Sequence, residues 1–160
     1  MMNKKNIFYV MGLLLLAACE CEVSKQGGEV AIVEDASLES LSADFIANAG
    51  DRVFFDFDKS SICAEAEQTL IKQVEWLKAH PDMNVLIEGH CDERGTREYN
   101  LGLGERRAEA VAKYLTEHGI EGNRVRTISY GKDRPIAAAG TQKEIYRLNR
   151  VSISVVEKNQ

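Results

Sequence analysis

Residues 83–88 (MNVLIE) form a short apolar, β-branched run that begins after His80-Pro81-Asp82 and ends at Gly89, a pattern that predicts a strand over 83–89. From about Arg97 the period changes. Ala108, Val111, Ala112 and Leu115 recur at i, i+3, i+4 and i+7, one apolar stripe of a helix over 97–118 that stops at His118-Gly119. In residues 64–79, Leu70, Val74 and Leu77 mark the buried face of another helix, with Trp76 at its edge. Strands over 53–57, 125–130 and 151–155 and a short helix over 142–148 complete the set. Val151, Ile153 and Val155 alternate with Ser152 and Ser154, which suits a sheet with one face covered by helices. The expected fold is α+β: a single sandwich of one mixed sheet and two main helices, βαβαβ in type with a final short helix and strand, over residues 50–160. No internal repeat is evident.

Before residue 50 the pattern is different. Lys4 and Lys5 precede an apolar run over 7–16 that is too short to span a bilayer as a helix and reads as the core of a leader, residues 1–18. Leu16-Ala17-Ala18-Cys19 resembles the bacterial lipobox. That resemblance makes Cys19 the first mature residue and the carrier of an N-acyl diacylglycerol lipid; an ordinary small-residue cleavage site beside a cysteine is the alternative. Glu20, rather than aspartate, follows Cys19, so outer-membrane delivery facing the periplasm is expected. Acyl chains contribute about 0.8 kcal/mol per buried CH₂, enough in combination for a stable anchor. Residues 19–49 carry seven acids against the single base Lys25 and include Gly27-Gly28, which predicts a solvated tether.

The chain carries 25 acidic and 20 basic residues, a net charge of −5, with the excess acid concentrated before residue 50. No basic stripe is present to neutralise phosphates, which argues against nucleic acid as a partner.

The chemistry concentrates in residues 89–108, GHCDERGTREYNLGLGERRA. Asp92 sits where a strand hands over to a helix. Asn100 and Arg107 are seven residues apart, so they share one helix face about 10 Å apart along its axis. An acid, an amide and a guanidinium on one surface could hold a zwitterion, Asp92 taking an ammonium group and Arg107 clamping a carboxylate. The blander reading makes Asp92 a helix cap and Arg107 a solvated residue. Two enzymatic or metal readings compete less well. Asp92 and Glu98 could serve as the paired acids of a hydrolase, yet neither has an apolar setting to raise its pKa. His90-Cys91-Asp92 lacks a second ligand cluster with zinc-like spacing, so no metal is expected.

The same block resembles the signature of OmpA-like peptidoglycan-binding domains, in the version carried by peptidoglycan-associated lipoproteins, which read DERGT and EYN at these places. Further segments match in order: residues 53–60 (VFFDFDKS), 128–131 (ISYG), and Tyr146 with Asn149-Arg150. The resemblance implies a non-catalytic module that holds the free end of diaminopimelate in the peptidoglycan stem peptide. Carried over by position, Asp92 and Arg107 are the clamp, while Phe57, Asp58, Arg94 and Asn100 line the rest. It also implies a Tol-Pal envelope and cell-division system, with a TolB-like periplasmic protein as partner beside peptidoglycan and outer-membrane lipid. Two positions depart from the pattern. Cys91 stands where threonine is usual, and Val151 where a second arginine is usual. Cys63 and Cys91 both border strand-to-helix loops in an oxidising compartment; a disulfide between them and two separate thiols are both open.

Overall fold

The computed structural model describes residues 29–159, so the leader, Cys19 and Cys21 lie outside the described residues. In chain order the elements are α1 (Glu29–Asn48), β1 (Arg52–Phe54), α2 (Ala64–Ala79), β2 (Met83–His90), α3 (Arg97–Glu117), a 3-10 turn (Gly122–Arg124), β3 (Val125–Gly131), α4 (Gln142–Asn149) and β4 (Val151–Lys158). One sheet holds the four strands in the order β1-β4-β2-β3. β2 and β3 run parallel and are therefore joined by a crossover, which α3 supplies. β4 lies antiparallel between β2 and β1. This is the α+β arrangement that the periodicity predicts.

Burial alternates along β2, with Met83, Val85 and Ile87 inside. They meet Leu70, Val74 and Leu77 of α2 and Ala108, Val111 and Leu115 of α3 in one core. Each such aliphatic side chain contributes about 1.5–3 kcal/mol through burial. The buried Gln73 joins two layers: its amide donates to the Gly50 carbonyl (2.6 Å) and its oxygen accepts from the Ser154 hydroxyl (3.0 Å).

α3 crosses β2 at backbone contact. A methyl group on Gly89 would overlap the Gly104 carbonyl, and one on Gly104 would lie 3.0 Å from the Gly89 oxygen. No larger residue lets the helix sit so low on the sheet, and this crossing fixes α3 beside the end of β2.

The segment before residue 50 departs from expectation. Residues 29–48 form a helix where a solvated tether is expected. Phe45 and Ala49 belong to the core, with Leu38 and Leu41 packed against it. Phe45 meets the Trp76 ring edge-on at 5.0 Å, and the Trp76 indole N–H donates to the Asp44 carboxylate at 2.7 Å. Leu38, Leu41 and Phe45 are spaced at i, i+3 and i+7, a docking stripe that the acidic count obscures. The helix ends at Gly50, whose φ of +80° permits its N–H to return to the Phe45 carbonyl (3.1 Å). Among the described residues no helix is long and apolar enough to cross a membrane.

Candidate functional site

The site lies where β2 runs out. A register shift between Gly89 and His90 skips Tyr130, so that His90 pairs with Gly131 of β3 and the Cys91 N–H donates to the Gly131 carbonyl (2.8 Å). Thr96 caps α3 by accepting from the Tyr99 N–H (3.2 Å). Between these two fixed points, the 91–95 loop is held from inside by Asn100, whose amide donates to the Arg94 and Thr96 carbonyls (2.7 and 3.0 Å).

Arg107 is fully buried and organises a second loop. Its guanidinium donates to the carbonyls of Lys59 (2.9 Å), His90 (2.7 Å) and Asp56 (3.1 Å) and to the Cys91 sulfur (3.4 Å). Of its five N–H groups, one is left for the cavity. Burial lowers its pKa from the ordinary guanidinium value. Arg107 thus ties the 56–59 turn to the end of β2. In that turn Asp58 adopts φ +56°, a strained conformation for a residue other than glycine, and the Tyr99 hydroxyl donates to its carboxylate.

Asp92 is nearly enclosed, and both its oxygens are occupied. Arg94 donates from Nε and the backbone N–H to Oδ1 (both 3.2 Å) and from Nη2 to Oδ2 (2.6 Å), while Arg150 donates from Nη1 to Oδ2 at 3.3 Å. Burial alone would raise the Asp92 carboxyl. The hydrogen bonds and charge of Arg94, with the bond from Arg150, outweigh it and hold the group below the usual carboxylate range. The Arg94 guanidinium is also layered between the Phe57 and Tyr146 rings, 3.9 and 4.4 Å from their centroids.

Phe57, Asp58, Asp92, Arg94, Asn100 and Arg107 all line one cavity of about 150 Å³. Tyr99 and Arg150 line it as well and were not singled out as site residues from sequence. Arg150 stands in the Asn149-Arg150 pair, and Tyr99 adjoins Asn100, so both lay within recognised segments. Cys63 and Cys91 are not bridged: Cys63 is exposed at the start of α2, whereas Cys91 is buried and its thiol donates to the Asn100 carbonyl (3.3 Å). Burial raises the Cys91 pKa, which keeps it a protonated, unreactive thiol at neutral pH. Where threonine is usual in the resembling domains, the sulfur thus still supplies a donor. Among the described residues no group of three or more His, Cys, Asp or Glu side chains could hold a metal ion.

The OmpA family model matches residues 54–148, and the peptidoglycan-associated lipoprotein of Brucella melitensis is 44% identical over 145 residues, 89% of this chain and 86% of that one. The chain belongs to the OmpA family, among its peptidoglycan-associated lipoproteins. The Agrobacterium fabrum relative of the same name is 54% identical over 127 residues, covering 78% of this chain and 72% of its own. In three dimensions the peptidoglycan-associated lipoprotein of Burkholderia pseudomallei matches with a TM-score of 0.63 at 37% identity, over 67% of this chain and 90% of that one. The C-terminal domain of Helicobacter pylori MotB, at 21% identity and a TM-score of 0.60 over 68% of this chain and 85% of its own, shares the fold alone. Within this OmpA-family chain, α1 precedes the residues that the family model covers.

Proposed function

We propose that the chain is a lipoprotein, anchored to the outer membrane through acylated Cys19, that binds peptidoglycan non-covalently and ties the membrane to the wall. The observation that carries the reading is the cavity at the end of β2. It combines two carboxylates, Asp58 and Asp92, with the guanidinium groups of Arg94, Arg107 and Arg150 in about 150 Å³. Opposite charges in so small a space suit the zwitterionic end of an amino acid such as diaminopimelate. In the ligand-free cavity Arg94 occupies Asp92. A ligand ammonium takes that place, and the released Arg94, Arg150 and the remaining Arg107 N–H receive the ligand carboxylate. The names of the relatives support peptidoglycan as the ligand, and by the same kinship the chain works in a Tol-Pal envelope system with a TolB-like partner.

A hydrolase reading is weaker. It needs one carboxylic acid kept protonated, yet Asp92 is held ionised, and Glu98 stands exposed on the first turn of α3 outside the cavity lining.

Co-sedimentation with purified peptidoglycan tests the reading. Asp92→Asn removes the charge that a ligand ammonium meets, a loss of roughly 1.5–3 kcal/mol or ten-fold and more in affinity. Arg106→Ala, on the exposed side of α3, should bind normally. Arg107→Ala is unsuited to the purpose because it strands three carbonyls and would destabilise the fold. Unchanged binding by Asp92→Asn would move the site elsewhere, and release of soluble fragments would favour the hydrolase.

A further inference from the structure

Three guanidinium groups line the cavity, yet the Asp58 carboxylate takes its hydrogen bond from a neutral phenol, the Tyr99 hydroxyl. Among the described residues no ion pair reaches Asp58, whereas Asp92, the other acid of the cavity, is paired with both Arg94 and Arg150. Arg107 meanwhile keeps one N–H open, on Nη2, whose other hydrogen goes to the Asp56 carbonyl. A carboxylate and an unfilled guanidinium N–H thus share about 150 Å³ with no bond between them.

Main-chain bonds do not account for this separation. Arg107 donates to the Asp56 and Lys59 carbonyls on either side of Asp58, which holds the backbone of the turn against the guanidinium and leaves the Asp58 side-chain torsions as the remaining freedom. The Asp58 charge acts on Arg107 across the cavity and favours its protonated form. Tyr99 removes the remaining freedom. Its main chain is fixed in the first turn of α3 by the bond from its N–H to the Thr96 hydroxyl (3.2 Å), and the bond to Asp58 raises the phenol pKa, so the hydroxyl keeps its proton and stays a donor. An acid attached to the turn competes at a high effective concentration with an acid arriving from solution, so a released Asp58 is a rival to any ligand carboxylate.

We propose that Tyr99 is a positioning residue: it holds the Asp58 carboxylate away from Arg107, so that the last guanidinium N–H is kept for the carboxylate of the ligand. The inference rests on the proposed peptidoglycan reading and adds the means by which a cavity with acids of its own avoids filling its own cation. Without the hydroxyl, Asp58 turns to Nη2 in most ligand-free chains, and the apparent affinity for a carboxylate at that place falls in proportion to the fraction left open. The ammonium end of the ligand, received at Asp92, is unaffected.

The test titrates the full chain and its Tyr99→Phe variant with two soluble probes: the L-Ala-D-Glu-diaminopimelate tripeptide, and the same tripeptide with L-lysine in place of diaminopimelate. The lysine probe keeps the side-chain ammonium and lacks the carboxylate beside it. With about one chain in ten left open, Tyr99→Phe should bind the diaminopimelate tripeptide about ten-fold more weakly than wild type does and the lysine tripeptide as wild type does. A crystal structure of ligand-free Tyr99→Phe should show the Asp58 carboxylate within hydrogen-bond distance of Arg107 Nη2. Unchanged affinity for the diaminopimelate tripeptide, an equal loss with both probes, as a merely structural role gives, or an Asp58 carboxylate that stays off Arg107 in the variant overturns the assignment. If the wild type fails to bind the diaminopimelate tripeptide, the peptidoglycan reading of the cavity falls, and the place of the Asp58 carboxylate in the variant still decides what Tyr99 does.

Discussion

α1 and α3 are helices of nearly equal length, 20 and 21 residues, attached in opposite ways. α3 lies against β2 with glycine on both sides of the contact, and Arg107 reaches from it to three carbonyls in two separate segments. α1 is held through side chains, by Phe45 against Trp76, the Asp44 hydrogen bond and two flanking leucines. The first kind of attachment tolerates no change of size, because backbone cannot yield. The second is a surface stripe that can be weakened step by step while the sheet stays intact.

The most direct way to break the α3 attachment is Gly89→Ala. Its methyl group would meet the Gly104 carbonyl, so the variant should lose about 4 kcal/mol or more in chemical denaturation. A loss below about 1 kcal/mol would show that the crossing can relax. Phe45→Ala should cost about 3 kcal/mol and alter Trp76 fluorescence, since it empties the main anchor of α1. If the stability of Phe45→Ala equals that of wild type, α1 contributes nothing to the domain. Asp44→Ala removes one partner of the indole N–H and should cost about 1 kcal/mol, with the fold retained by circular dichroism.

The sequence made one of these helices legible and hid the other. α2, β2, α3 and β4 begin at the residues expected because a sheet covered on one face imposes clean periods on them. In α1 the apolar stripe is thin, and seven acids over residues 19–49 make the composition resemble that of a solvated chain. Only the partner of the stripe, Trp76, reveals its purpose, and that partner lies 31 residues beyond Phe45 in the sequence. The site divides similarly. Asp92, Asn100 and Arg107 announce themselves by spacing on one helix and its entry loop. Arg150 reaches Asp92 from the start of β4, a neighbourhood set by strand order, which periodicity does not encode. For the same reason the sequence left the pairing of Cys63 and Cys91 open.

The smallest effect near neutrality is a pH dependence that belongs to the α3 side alone. The Asp92 carboxyl is lowered from its ordinary value of 3.8, so its contribution to stability is complete above that value and is lost as pH falls through the lower native one. Denaturation of wild type and Asp92→Asn should differ by a constant amount from pH 7 down to the ordinary value of 3.8, and the difference should shrink as pH falls below it. Parallel curves throughout would mean that the carboxylate is not held by Arg94 and Arg150.

The docked α1 also sets a length. Twenty residues span about 30 Å as a helix and nearly 70 Å when drawn out. A pull applied at Glu29 meets the Asp44 and Phe45 contacts with Trp76 before it meets β1 or the sheet. Peeling the helix away would therefore release about 40 Å of slack ahead of any damage to the sheet or to the cavity around Asp92.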